Sequence, residues 1–97
     1  MREERNILET TLTVSESGQG IHARVATMIV RTLEKYSSQV TLCKDELEVD
    51  ARSVLGLLLL AAEPGSEVTI RAQGSDCDEV VAEIGRIVKD ETGQRTC

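Results

Sequence analysis

Ninety-seven residues form a single domain, expected here as a core over about residues 7–91 with tails at 1–6 and 92–97. One tyrosine, with no tryptophan or phenylalanine, leaves the core to aliphatic side chains. The formal net charge of −6 argues against contacts to nucleic-acid phosphates and against an anionic membrane surface, and it favours protein partners with basic or apolar docking surfaces.

The charged opening at residues 1–6 leads into no long apolar run, so neither a signal peptide nor a membrane span is expected. Cys43, Cys77 and Cys97 have no Cys-x-x-Cys spacing, and one histidine adds little to them as a ligand set. Free thiols, a cytoplasmic location, no metal and no cofactor are the expectation, with Cys97 exposed.

Ile7 to Val14 reads as a strand: Leu8, Thr10, Leu12 and Val14 alternate with Glu9, Thr11 and Thr13. Ser15 to Gly20 is a loop of small and polar residues. A helix follows from about Ala23 to Tyr36, with Ala26, Ile29, Val30 and Leu33 on one face. Ser37 to Cys43 reads as the second strand, Lys44 and Asp45 as a tight turn, and Glu46 to Asp50 as the third strand, with Leu47 and Val49 inward. So short a connection implies an antiparallel hairpin.

Ser53 to Leu60 reads as a two-turn helix capped by Ser53 and stopped by Pro64-Gly65, although four consecutive leucines alone fit a buried strand equally. Leu57 and Leu60 belong to the core. Val54, Leu55 and Leu58 cannot all point inward on so short a helix. Ser66 to Ala72 is the fourth strand, with Val68, Ile70 and Ala72 on one face. The last helix opens at Gly74-Ser75-Asp76, where Asp76 and Glu79 have the form of a capping box. Its stripe is Val80, Val81, Ile84, Ile87 and Val88. Gly85 inside it costs about 1 kcal/mol relative to alanine, tolerable for close packing on the sheet.

The order strand, helix, strand, strand, helix, strand, helix gives an α+β fold. It is a two-layer open-faced sandwich: a four-stranded antiparallel sheet with three helices on one face.

The chemistry concentrates in Gly18-Gln19-Gly20-Ile21-His22-Ala23-Arg24-Val25-Ala26-Thr27. The lone histidine sits where a helix begins, and the first turn leaves backbone N–H groups unpaired at the positive end of the helix dipole. A neutral imidazole is a nucleophile that can carry a phosphoryl group, and Arg24 stands two residues on. The plainer reading of such a histidine is a surface residue or a cap.

Gly20-Ile21-His22-Ala23-Arg24, with Ala26-Thr27 after it, resembles the active-site segment of HPr, the phosphocarrier family of the bacterial phosphoenolpyruvate:sugar phosphotransferase system. Asp50-Ala51-Arg52-Ser53-Val54-Leu55-Gly56-Leu57 looks like the family's regulatory serine at the head of a short apolar helix. Gly65-Ser66-Glu67-Val68-Thr69-Ile70 and Gly74-Ser75-Asp76 also fit, and the likeness runs from about Leu8 to Glu91.

This resemblance implies a phosphoryl carrier rather than an enzyme. His22 would take phosphate on Nδ1 from enzyme I and pass it to enzyme IIA acceptors, and Arg24 would neutralise phosphate charge. It also implies HPr kinase/phosphorylase acting on Ser53, whose plainer role is an N-cap worth about 1 kcal/mol. Met28, Val54, Leu55 and Leu58 would form a docking patch, with simple core packing as the other reading. The chain is expected to act as a monomer.

One departure concerns the residue after the arginine, which in the family is usually proline and here is Val25. Valine frees φ and restores an N–H, which bears on transfer rate more than on fold. The alternative function is an HPr-like regulator of carbon or nitrogen control, acting through phosphorylation-dependent protein binding. Ligand-binding modules share this element order too. A hydrolase lacks a convincing serine or cysteine partner for the histidine.

Overall fold

A computed structural model of the chain describes residues 7–14, 20–60 and 62–91. The expectations for both tails, for most of the loop after the first strand and for Cys97 lie outside these residues. The elements are β1 (Ile7–Thr13), α1 (Ala23–Leu33), β2 (Gln39–Lys44), β3 (Leu47–Asp50), α2 (Val54–Leu60), β4 (Glu67–Gln73) and α3 (Cys77–Arg86), the last continuing into a π-helical turn over Ile87–Glu91. The strands form one antiparallel sheet in the order β1-β4-β2-β3. This is the expected open-faced sandwich.

Period-two alternation builds the sheet's two faces. Val40, Leu42, Val68, Ile70 and Ala72 are buried on the helix side, and Leu8, Leu12 and Val49 are half-buried beside them. On the open side the Thr11 and Thr69 hydroxyls meet at 2.9 Å. Arg71 there lies 3.6 Å from Glu9 and 3.4 Å from Glu48, exposed pairs of small energetic weight. Cys43 shares this side, and burial, with Glu48 next in effect, pushes its thiol up.

The helices contribute Val25, Ala26, Ile29 and Leu33 from α1, Leu57 and Leu60 from α2, and Val80, Val81 and Ile84 from α3, followed by Ile87 and Val88. Each fully buried leucine or isoleucine stabilises the fold by roughly 1.5–3 kcal/mol. Gly85 is buried against β1, where an added Cβ would stand 3.4 Å from Leu12 Cδ1. That is the close approach its place in a helix implies.

Five local expectations are corrected. The α-helical part of α1 ends at Leu33 rather than Tyr36, because the next turn tightens: Lys35 N–H donates to Thr32 and Tyr36 N–H to Leu33. The hairpin turn is Asp45-Glu46, not Lys44-Asp45, since Lys44 pairs with Leu47. Asp45 takes φ 56°, a conformation aspartate tolerates. Leu47 is 44% exposed rather than inward, because it sits on an edge strand beside the turn. Val14 leaves the strand yet is fully buried, held by N–H donation to Ser66 O at 2.8 Å and by acceptance from Gly65 N–H at 2.9 Å.

Asp76, fifth, makes no capping bond to its own helix, against the capping box expected of it. Its carboxylate accepts instead from Ser37 N–H at 2.9 Å, Ser38 N–H at 3.0 Å and both serine hydroxyls. Arg52 grips the same connection from its carbonyl side. Its guanidinium donates to Leu33 O at 2.9 Å, and to Tyr36 O and Ser38 O at 3.0 Å each. The α1–β2 link is thus clamped by a cation on its carbonyls and an anion on its amides.

The Ser38 hydroxyl, then the Ser37 amide, holds the Asp76 carboxyl below its ordinary value. A depressed folded-state pKa adds stability that is present above the unfolded value and lost as pH falls through the folded one. Asp76→Asn should therefore melt below wild type at neutral pH, and the gap should close in acid below the ordinary carboxylate range. Denaturant midpoints across pH check this; a gap that stays constant in acid would contradict it.

Candidate functional site

The His22 segment is set in place by the connection between α2 and β4. Ile21 is 5% exposed and its N–H donates to Ala62 O at 2.9 Å. Gly20 has φ 81°, and an added Cβ would run into that same carbonyl oxygen. Only glycine fits both the left-handed backbone and the close approach. Gly20→Ala should lower stability by about 1–3 kcal/mol, or several degrees in Tm, and slow any reaction at His22 by displacing it. Thermal melts check the first effect, and an unchanged Tm would contradict it.

His22 is the N-cap of α1, with φ −112° and ψ −171°. Its carbonyl takes the first helical bond, from Ala26 N–H at 2.8 Å. Its ring Nδ1 accepts from Arg24 N–H at 3.3 Å. A nitrogen that accepts a hydrogen bond carries a lone pair and no proton. The ring is therefore turned with Nδ1 toward the first turn of α1. The first-turn N–H groups of Ala23 and Val25 have no intrahelical acceptor and stand ready for anion oxygens.

Val25 is fully buried. Core packing anchors this first turn where a proline ring would otherwise fix it. Arg24 is exposed, and its Nη1 rests 3.9 Å from the sulfur of half-buried Met28, one turn along the helix. Thr27 bonds back to Ala23 O at 2.9 Å, closing the first turn.

Ser53 is the cap expected of it. Gly56 N–H donates to Ser53 Oγ at 2.9 Å and Leu57 N–H to Ser53 O at 3.0 Å. The turn before it is fixed by Ser53 N–H to Asp50 O at 3.0 Å and Arg52 N–H to Asp50 Oδ1 at 2.9 Å. Buried Ala51 ties the turn to the sheet, donating to Val40 O at 3.0 Å.

On α2, Leu57 and Leu60 are buried, while Leu55 is 67%, Leu59 65% and Leu58 38% exposed. Val54 and Met28 are half-buried against the core. The exposed row thus includes Leu59 as well as Leu55 and Leu58, and Leu59 borders a shallow groove with Leu47 and Leu60. Sequence reasoning missed Leu59, Arg52 and Ala62. A run of four leucines does mark some of them as outward, because a helix so short turns only one face, here Leu57 and Leu60, to the core. No local pattern marks a guanidinium or a carbonyl whose partners are distant in the chain.

Among the described residues no cluster of histidine, cysteine and acidic side chains is arranged to hold a metal. No helix among them is long and apolar enough to cross a membrane.

Residues 8–90 match the family model described as the PTS HPr component phosphorylation site. The chain is 39% identical over 72 residues to the HPr-like protein Crh of Bacillus subtilis, covering 74% of this chain and 85% of that protein. It is 40% identical over 70 residues to the phosphocarrier protein HPr of Xylella fastidiosa strain Temecula1, covering 72% and 78%. The crystal structure of HPr-C-His from Thermoanaerobacter tengcongensis superposes with a TM-score of 0.82 at 30% identity, over 92% of this chain and 99% of that one.

Proposed function

This chain belongs to the HPr family of phosphocarrier proteins, and from that premise we propose that His22 Nδ1 accepts a phosphoryl group from enzyme I and yields it to enzyme IIA domains. The observation that carries the reading is the Arg24 N–H bond to Nδ1, which holds the ring with its lone pair toward the helix N-terminus. In the transfer the Nδ1 lone pair forms the N–P bond as the phosphorus–enzyme I bond breaks, and Nε2 keeps its proton. Arg24 N–H, deprived of its acceptor, turns to a phosphoryl oxygen, and the Val25 N–H adds a donor that proline would lack. The Arg24 guanidinium leaves the weakly accepting Met28 sulfur for the phosphoryl oxygens. Positioning and charge stabilisation are what phosphoryl transfer asks of a protein. The chain is a carrier working in the cytoplasm as one copy, with no cofactor.

Leu55 and Leu58, with Val54 and Met28 at their margin, form the docking surface for both partners. Ser53 is the target of HPr kinase/phosphorylase. A phosphate there adds about −1.5 to −2 charge beside that surface and repels an incoming phosphoryl donor. The similarity to Crh favours one further reading, a regulator of carbon control that binds other proteins according to its phosphorylation.

Incubation of the chain with enzyme I, phosphoenolpyruvate and magnesium, followed by intact-mass analysis, tests the carrier reading. An acid-labile, base-stable phosphate adduct is expected. No adduct, with an ordinary HPr charged in the same tube, would leave only the regulatory reading.

A further inference from the structure

We propose that Met28 is a modification site whose oxidation to the sulfoxide holds Arg24 away from His22 and slows phosphoryl transfer. The inference rests on the carrier reading and concerns the control of that site. Arg24 and Met28 lie four residues apart on α1, on neighbouring turns of one face. The guanidinium Nη1 already meets the thioether sulfur at 3.9 Å. A thioether is a weak acceptor, so the arginine is parked there and leaves freely. Met1 is the one other methionine in the sequence, and it lies outside the described residues.

The oxidant is a peroxide. A sulfur lone pair attacks one oxygen of hydrogen peroxide, the S–O bond forms, the O–O bond breaks and water leaves; sulfur is oxidised by two electrons and the peroxide reduced. The product is polar, with an oxygen at the place where Arg24 already rests. A charge-assisted hydrogen bond to that oxygen is far stronger than the bond to sulfur. Arg24 must then break it before it can reach a phosphoryl group. A methionine sulfoxide reductase reverses the change: a dithiol becomes a disulfide, and the oxygen leaves as water.

The experiment compares the rate of His22 phosphorylation by phosphoenolpyruvate-charged enzyme I before and after treating the chain with hydrogen peroxide. Peroxide is removed and thiols are re-reduced before enzyme I is added, and peptide mass analysis gives the extent of Met28 oxidation. The wild-type rate is expected to fall about tenfold and to recover after treatment with methionine sulfoxide reductase. Met28→Leu, which has no sulfur, should show equal rates before and after peroxide, whatever its own rate is. Arg24→Ala should also show no further loss, because the group being held is gone.

A fully oxidised Met28 with an unchanged wild-type rate would overturn the proposal. An equal proportional loss in Arg24→Ala would overturn it as well, since the sulfoxide would then be acting through packing. A reduced wild-type chain that takes no phosphoryl group would overturn the carrier reading and this inference with it. A chain that is charged normally and is insensitive to oxidation would overturn this inference alone.

Discussion

His22→Asn is expected to lose the acid-labile phosphate adduct completely while keeping the fold. His22 is the only histidine in the chain, so no other imidazole can take its place. Asparagine has no nucleophilic ring nitrogen, yet it is among the best N-cap residues. Its side-chain oxygen can accept from Arg24 N–H as Nδ1 does at 3.3 Å. The Ile21 bond to Ala62 O is a backbone bond and survives the change. The variant therefore separates the chemical role of the ring from its capping role, which alanine would remove together. Intact mass after incubation with enzyme I and circular dichroism check the two halves. An acid-labile adduct on a folded His22→Asn chain would move the phosphoryl group to another residue.

Arg24→Ala is expected to slow the same charging reaction by about 10²-fold, the usual cost of removing one preorganised stabiliser of developing negative charge. Stability should change little, because Arg24 is exposed and its guanidinium hydrogen-bonds, among the described residues, to the weakly accepting Met28 sulfur. Arg24→Lys keeps the charge and loses the planar fork, so it should recover part of the rate. Time courses of phosphate uptake at fixed enzyme I measure both. A fall of less than about threefold in Arg24→Ala, well short of the range for such a group, would remove the side chain from the reaction. The backbone N–H of residue 24 would then be its whole contribution.

The parts of this molecule legible in the sequence are those fixed by local periodicity. The Val68, Ile70 and Ala72 alternation sets one buried face of β4. The Ala26, Ile29 and Leu33 spacing sets the buried stripe of α1. The same holds for His22 and Ser53, because an N-cap is a relation between a residue and its next three neighbours. Ends and edges are less legible. Leu47 alternates like a core residue, but an edge position beside a turn leaves it exposed, and only the sheet order reveals an edge.

Asp76 shows how one pattern admits two partners. Asp-x-x-Glu before an apolar run reads as a local capping box, yet the carboxylate finds better donors in Ser37 and Ser38, 39 and 38 residues away. Arg52 lies between the buried Ala51 and the cap Ser53 and looks like a solvent-facing charge. Its three carbonyl partners belong to a helix end and a loop that meet it only after folding. For the candidate site, sequence supplies the histidine and the arginine. The support beneath them, Ala62 O under Gly20 and Ile21, comes from a connection about 40 residues later that no motif announces.

The most direct measurement of whether His22 carries the phosphoryl group is nitrogen and phosphorus NMR of the chain charged by enzyme I with its histidine ring labelled. A phosphoryl group on Nδ1, a proton on Nε2, and a shift of the Arg24 amide as it exchanges the ring nitrogen for a phosphoryl oxygen are expected. A phosphoryl group on Nε2, or an Arg24 amide that does not move on charging, would contradict the transfer proposed for His22.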